Sequence, residues 1–232
     1  MNEVIKTISQ SVREKLEFYQ IAVSREQVSI FLLWLFTVSS IIGIGLGYTD
    51  WFIAKTPLNL MLGFLLVLIN IPFGNRYGKL VFVFTFLFGM TLEIVGVIRG
   101  DIFGTYFYGE NLGFKVLGVP LMIGIYWAVL TTVTSQMARI FFDKIIYIAL
   151  LGASLMVGLD FFMEQMAHIF DFWHFEGQMA PVQNYIAWFI AAFFLHLLVL
   201  KFIPKGGGRF ATHLFMNQLV FFISAYIIIH LW

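Results

Sequence analysis

Apolar residues fill this chain in long unbroken stretches separated by short polar punctuation, the pattern of segments that cross a bilayer. Seven stretches lie at roughly Val28 to Gly47, Pro57 to Phe73, Lys79 to Ile98, Val116 to Ala138, Lys144 to Gln165, Pro181 to Phe202 and Phe210 to Trp232. Each is close to the roughly 20 residues with which a helix spans a hydrocarbon core about 30 Å thick. Backbone groups in lipid are satisfied only in helices or closed barrels, and runs that are continuous rather than alternating argue against a barrel. The predicted fold is all-α: a polytopic bundle of about seven transmembrane helices, one membrane domain over residues 28–232.

Residues 1–27 form the one long polar stretch, and they set Ile5, Ile8, Val12, Leu16 and Tyr19 three or four apart. That spacing gives either an amphipathic helix on the membrane surface or a solvated coil. The apolar region begins too late for a signal peptide. Lys and Arg counts orient the bundle. The N-terminal segment and the second, fourth and sixth connections carry eleven, whereas the opposite side has only Lys55, Arg99 and Lys115. By the positive-inside rule the N-terminus is cytoplasmic and the C-terminus outside, which suits a multi-pass protein of a bacterial inner membrane.

Composition narrows the function. Of the 232 residues 60% are apolar and 12% charged, against about a quarter charged in soluble domains. A net charge of +1 without a clustered basic face gives no case for nucleic acid. With no cysteine, disulfides, thiolate metal sites and cysteine nucleophiles are excluded. No lysine lies mid-span, so a retinal Schiff base is unavailable despite the seven spans.

Two outer connections, Arg99 to Lys115 and Met166 to Ala180, are long and aromatic, and are expected to dip into the bilayer or close over a cavity. Acids within the spans are costly and so point to function. Glu93 lies about 21 Å beyond Lys79 along its helix and Asp160 about 24 Å beyond Lys144, at 1.5 Å per residue; Glu164 follows one turn later, and Asn184 opens the sixth span. Four polar groups on three helices therefore meet at one outer depth. Asp160 and Glu164, at i and i+4, share a face, and a carboxyl pair in a low-dielectric site supplies an acid and a base. Locking of the bundle by interhelical hydrogen bonds is the competing explanation. His168 extends the same stripe but yields too few ligands for a metal site, so no metal is expected.

Two blocks of residues carry a resemblance. The first runs from Glu93 through Gly96, Gly100, Phe103-Gly104, Tyr106, Tyr108 and Gly118-Val-Pro-Leu121 to Trp127; the second from Asp160 and Glu164 through Trp173 to Pro181-Val-Gln-Asn-Tyr185 and Trp188. Together they resemble the carotenoid 1',2'-hydratase family of integral membrane proteins, the bisanhydrobacterioruberin and γ-carotene hydratase type, from about the third to the sixth span. Where many relatives have proline after the second acid, this chain has Gln165. Small bacterial lycopene cyclases share the architecture, but their P-x-E-[DE] motif is absent.

The resemblance implies cofactor-free addition of water across the terminal double bond of acyclic ψ end groups, as in lycopene or γ-carotene. Asp160 would be the acid, with Glu93 or Glu164 as base. Tyr106, Tyr108, Trp173 and Trp188 would face the cation, Asn184 would hold the water, and Trp127 belongs to the same substrate-binding set. The partners implied are a carotenoid from the bilayer, water and membrane lipids. Two other classes stay open: a transporter or channel whose acids form a proton or cation relay, and a carotenoid-binding protein without catalysis.

Overall fold

The structure, a computed structural model, describes residues 24–177 and 179–231. Most of the polar segment expected at residues 1–27 lies outside the described residues. Among the described residues, seven helical spans are long and apolar enough to cross a membrane, an all-α polytopic bundle as the apolar runs predict. They are α1 (Arg25–Gly45), a second span broken into α2 (Thr49–Ile53) and α3 (Thr56–Asn70), α4 (Arg76–Arg99), α5 (Leu121–Ala138), α6 (Ile145–Ala167), α7 (Val182–Phe202) and α8 (Gly208–Leu231).

Among the boundaries that differ from the apolar runs, three have a clear local reason. The first helix starts earlier because Ser24 and Gln27 form a capping box, Gln27 N donating to Ser24 Oγ at 3.2 Å and Ser24 N to Gln27 Oε1 at 2.8 Å. Two otherwise orphaned donors are satisfied. The second span is longer than expected, since α2 precedes the break and Pro57 then sits in the first turn of α3, where its missing N–H costs nothing. The fifth helix starts later. Lys115–Val116 (β2) pairs antiparallel with Val119–Pro120 (β3) across Leu117 and Gly118, whose φ angles are 50° and 86°. That is the backbone of a type I′ hairpin turn, and α5 follows at Leu121.

The hub is α5, buried along nearly all of its length and packed against α3, α4, α6, α7 and α8. Some of its polar residues tie it to its neighbours. Thr134 Oγ1 lies 2.8 Å from His196 Nε2, and the other ring nitrogen of His196 is 2.6 Å from the Ala192 carbonyl oxygen. At the basic end Arg139 donates to the carbonyls of Ile203 and Leu200, both at 2.8 Å, placing a cation at the C-terminus of α7, where carbonyls lack helical partners. The first helix is held to α8 by Trp34 Nε1, which donates to His213 Nδ1 at 3.1 Å, and by Asn217, which accepts from Thr37 Oγ1 at 2.8 Å and donates to the Leu33 carbonyl at 3.1 Å. Such interhelical bonds are each worth roughly 0.6 to 2 kcal/mol in a bilayer.

At the end opposite the basic connections the two aromatic loops meet and close over a cavity, one of the two arrangements their composition suggested. Tyr106–Tyr108 (β1) pairs antiparallel with Trp173–Phe175 (β4), with Tyr106 opposite Phe175 and Tyr108 opposite Trp173. Side chains alternate along a strand. Tyr106 and Tyr108 therefore point into the bundle while Phe107 is exposed, and this short sheet roofs the space between α4, α6 and α7.

Candidate active site beneath the aromatic roof

Glu93, 1% exposed, projects from α4 below the roof. Its Oε2 accepts from the hydroxyls of Tyr106 at 2.6 Å and Tyr108 at 2.8 Å, and its Oε1 accepts from Trp127 Nε1 at 3.0 Å. Burial, and then the neighbouring Glu93, pushes both phenols well above their ordinary value. The two tyrosines therefore keep their protons and act as donors. An indole N–H can only donate, so three donors converge on one carboxyl group.

Asp160 faces this group from α6 and is 3% exposed. Its environment is the reverse of that of Glu93: among the described residues Oδ2 has no hydrogen-bond partner. Asn184, buried at the start of α7, stands beside it. One turn beyond Asp160, Glu164 accepts from Trp173 Nε1 at 2.7 Å on its Oε2. The i, i+4 spacing thus gives two acids on one face, one with an oxygen left unengaged among the described residues and one tied to the roof.

Of the nine residues singled out from the sequence, all but Trp127 line a single cavity: Glu93, Asp160, Glu164, Tyr106, Tyr108, Trp173, Asn184 and Trp188. Trp127 is fully buried behind the Glu93 carboxyl and packs on Trp188 with ring centroids 4.2 Å apart. It positions Glu93 rather than forming the wall. Sequence reasoning missed Ile123, Tyr126, Met163 and Phe175, which complete the lining. Met163 is three residues from Asp160 and on the same helical face, a spacing that would have found it; Phe175 needed the strand pairing. The space inside open to the centre of a water-sized sphere is about 20 Å³, just above the roughly 10 to 15 Å³ that one water requires on that measure.

The other histidines fall outside the cavity. His196 and His213 join helices, and His168 Nδ1 lies 2.7 Å from His174 Nδ1 at the rim. Among the described residues no group of three or more metal-binding side chains is arranged to hold a metal ion.

The model of a family described as carotenoid biosynthesis protein matches residues 55–232. The chain belongs to that family. No curated protein matches it, and no solved structure does. As a carotenoid biosynthesis protein it has its whole cavity inside the matched region, which begins at the break in the second span and leaves out α1. A membrane-embedded cavity with aromatic walls and a few carboxyl groups suits a family whose compounds dissolve in the bilayer.

Proposed function

We propose that this carotenoid biosynthesis protein is a cofactor-independent hydratase that adds water across the terminal double bond of acyclic ψ end groups, lycopene and γ-carotene being the substrate class. The observation that carries the reading is the contrast between two buried carboxyls facing one cavity: Glu93 with three donors, and Asp160 with an oxygen that no group among the described residues engages. A carboxyl surrounded by donors is built as an acceptor. One with a free oxygen, in a pocket this apolar, is built to hold a proton and release it.

The chemistry follows in two steps. The Asp160 carboxyl donates its proton to the less substituted carbon of the terminal trisubstituted alkene, whose π electrons form the new C–H bond. A tertiary cation is left on the neighbouring carbon, against the faces of Tyr106, Tyr108, Trp173 and Trp188; an aromatic face stabilises a cation by about 0.5 to 2 kcal/mol. Water held near Asn184 forms the C–O bond, and its released proton passes to Glu93. Returning that proton to Asp160 resets the site, so the balance is alkene plus water to tertiary alcohol. Since the resting cavity has room for about one water, the end group enters by displacing flexible lining such as Met163.

A transporter relay is less well supported. It needs mobile polar groups continuing to the basic end, yet three polar side chains of α5 in that direction are bonded to backbone carbonyls: Thr131 to that of Trp127, Thr134 to that of Leu130, and Gln136 to that of Pro204. The test is expression in hosts that make lycopene or γ-carotene, followed by mass analysis of the pigments. A product heavier by one water supports hydration. Unchanged pigments in both hosts, with the protein shown to be inserted and folded, would overturn it.

A further inference from the structure

A hydratase consumes one water per turnover, and a cavity that holds about one must be refilled. A second hollow lies against the first. It is lined by Phe107, Glu164, His168, Trp173, His174 and Phe175, with about 470 Å³ open to a water-sized sphere. Three of those residues, Glu164, Trp173 and Phe175, also line the inner cavity. The two spaces therefore share one wall, and its polar part is the 2.7 Å bond from Trp173 Nε1 to Glu164 Oε2.

The outer hollow is wet by composition. His168 and His174 bond each other at 2.7 Å, His174 Nε2 lies 3.0 Å from Asp171 Oδ1, and Phe107 and His168 are exposed. It sits at the end of the bundle with few basic residues, the side that the charge count places outside. By contrast the inner cavity is walled by buried side chains, Tyr106, Tyr108 and Asp160 among them. Phe175 packs flat on Tyr106, with centroids 5.1 Å apart. Of the three shared residues, then, only Glu164 and Trp173 close the wall through a single bond between side-chain tips.

We propose that the hollow beside the β1–β4 pair is the water port of the enzyme and that the Glu164–Trp173 bond is its gate. Water collects beside His168 and His174. It passes inward when the indole and carboxylate part, and the bond re-forms behind it. Glu164 is thereby a positioning residue at the entrance, and Asp160 and Glu93 do the chemistry. This inference rests on the hydration reading above.

The absence of cysteine from the chain makes the test direct. Phe107→Cys and His168→Cys each place one thiol in the port, and Phe114→Cys places one on an exposed loop residue outside it. Spheroplasts carrying each variant are treated from outside with a membrane-impermeant cationic methanethiosulfonate, then supplied with lycopene. Before treatment, formation of the hydrated pigment by any of the three tests the hydration reading by itself. After treatment, modification of either port thiol should remove most of the hydration, and a reducing agent that cleaves the mixed disulfide should restore it. Modified Phe114→Cys should keep its rate. Full hydration with a port thiol modified would overturn the gate, as would port thiols that react only after the membrane is breached. If one port variant does not fold, the other decides.

Discussion

Gly89 of α4 and Trp127 of α5 are in contact so close that a Cβ at position 89 would lie 2.5 Å from Cγ of the indole. The same indole, fully buried, holds Oε1 of Glu93 at 3.0 Å and cannot retreat, because Trp188 packs against it. Position 89 therefore sets where the Glu93 carboxyl points. Gly89→Ala should cost about 1 to 3 kcal/mol of stability, as overpacking does, and lower the hydration rate. The double variant Gly89→Ala with Trp127→Phe separates the two effects. The smaller ring should recover the melting temperature in detergent, whereas the rate should stay low for want of the N–H donor.

Removing the acid and trimming the donors should differ in size. Asp160→Asn keeps shape but has no proton to give, and a general acid contributes roughly 10² to 10⁴ in rate, so hydrated pigment should fall below detection with the protein still inserted. Tyr108→Phe leaves Glu93 two of its three donors. A hydrogen bond to a charged group is worth about 1.5 to 3 kcal/mol, which corresponds to a loss of roughly tenfold to a hundredfold. Initial rates of pigment conversion measure both. Equal losses would mean that Asp160 is not the proton donor.

The spans were legible because hydropathy over some twenty residues integrates many weak signals, and the two acids on α6 because helical spacing relates Asp160 to Glu164 directly. Tyr106 and Tyr108 carry a period-two signal that puts both on one face of a strand, although nothing local says that the face meets Glu93. The rest was hidden for a physical reason. The β1–β4 pairing joins strands of three residues from separate connections, too short to show a pattern, and it alone brings Phe175 to the cavity. Trp127 reaches Glu93 from 34 residues away on another helix. Ser24 and Gln27 did spell a helix start, but their capping box lies in front of the apolar run that defines the span.

Away from the site, the contact of Gly152 on α6 with His196 on α7 tests how the bundle is locked. A Cβ at position 152 would overlap the buried imidazole, which is held by Thr134 and by the Ala192 carbonyl. Gly152→Ala should destabilise the bundle by about 1 to 3 kcal/mol, read as a lower unfolding temperature in detergent. Combining it with His196→Ala should cost less than the sum of the single changes, because the second substitution removes the group that the new methyl strikes.

The roof should loosen in acid through Asp171. Its carboxyl is held below the usual carboxylate range, first by the His174 side chain at 3.0 Å and further by the Glu110 backbone N–H, which donates at 2.7 Å. An unfolded aspartate titrates near about 3.9. A group whose folded value is depressed gives its full contribution above that pH and loses it as pH falls through the folded value. Protection of the amides around β1 and β4, measured by hydrogen exchange and corrected for intrinsic rates, should therefore be steady from neutrality to about pH 5 and should decline below about pH 4. Asp171→Asn should show the reduced protection at neutral pH already, with no further decline through that range. A wild-type roof that stays protected as far as the folded value and beyond would mean that the β1–β4 pairing and its aromatic contacts hold it without Asp171.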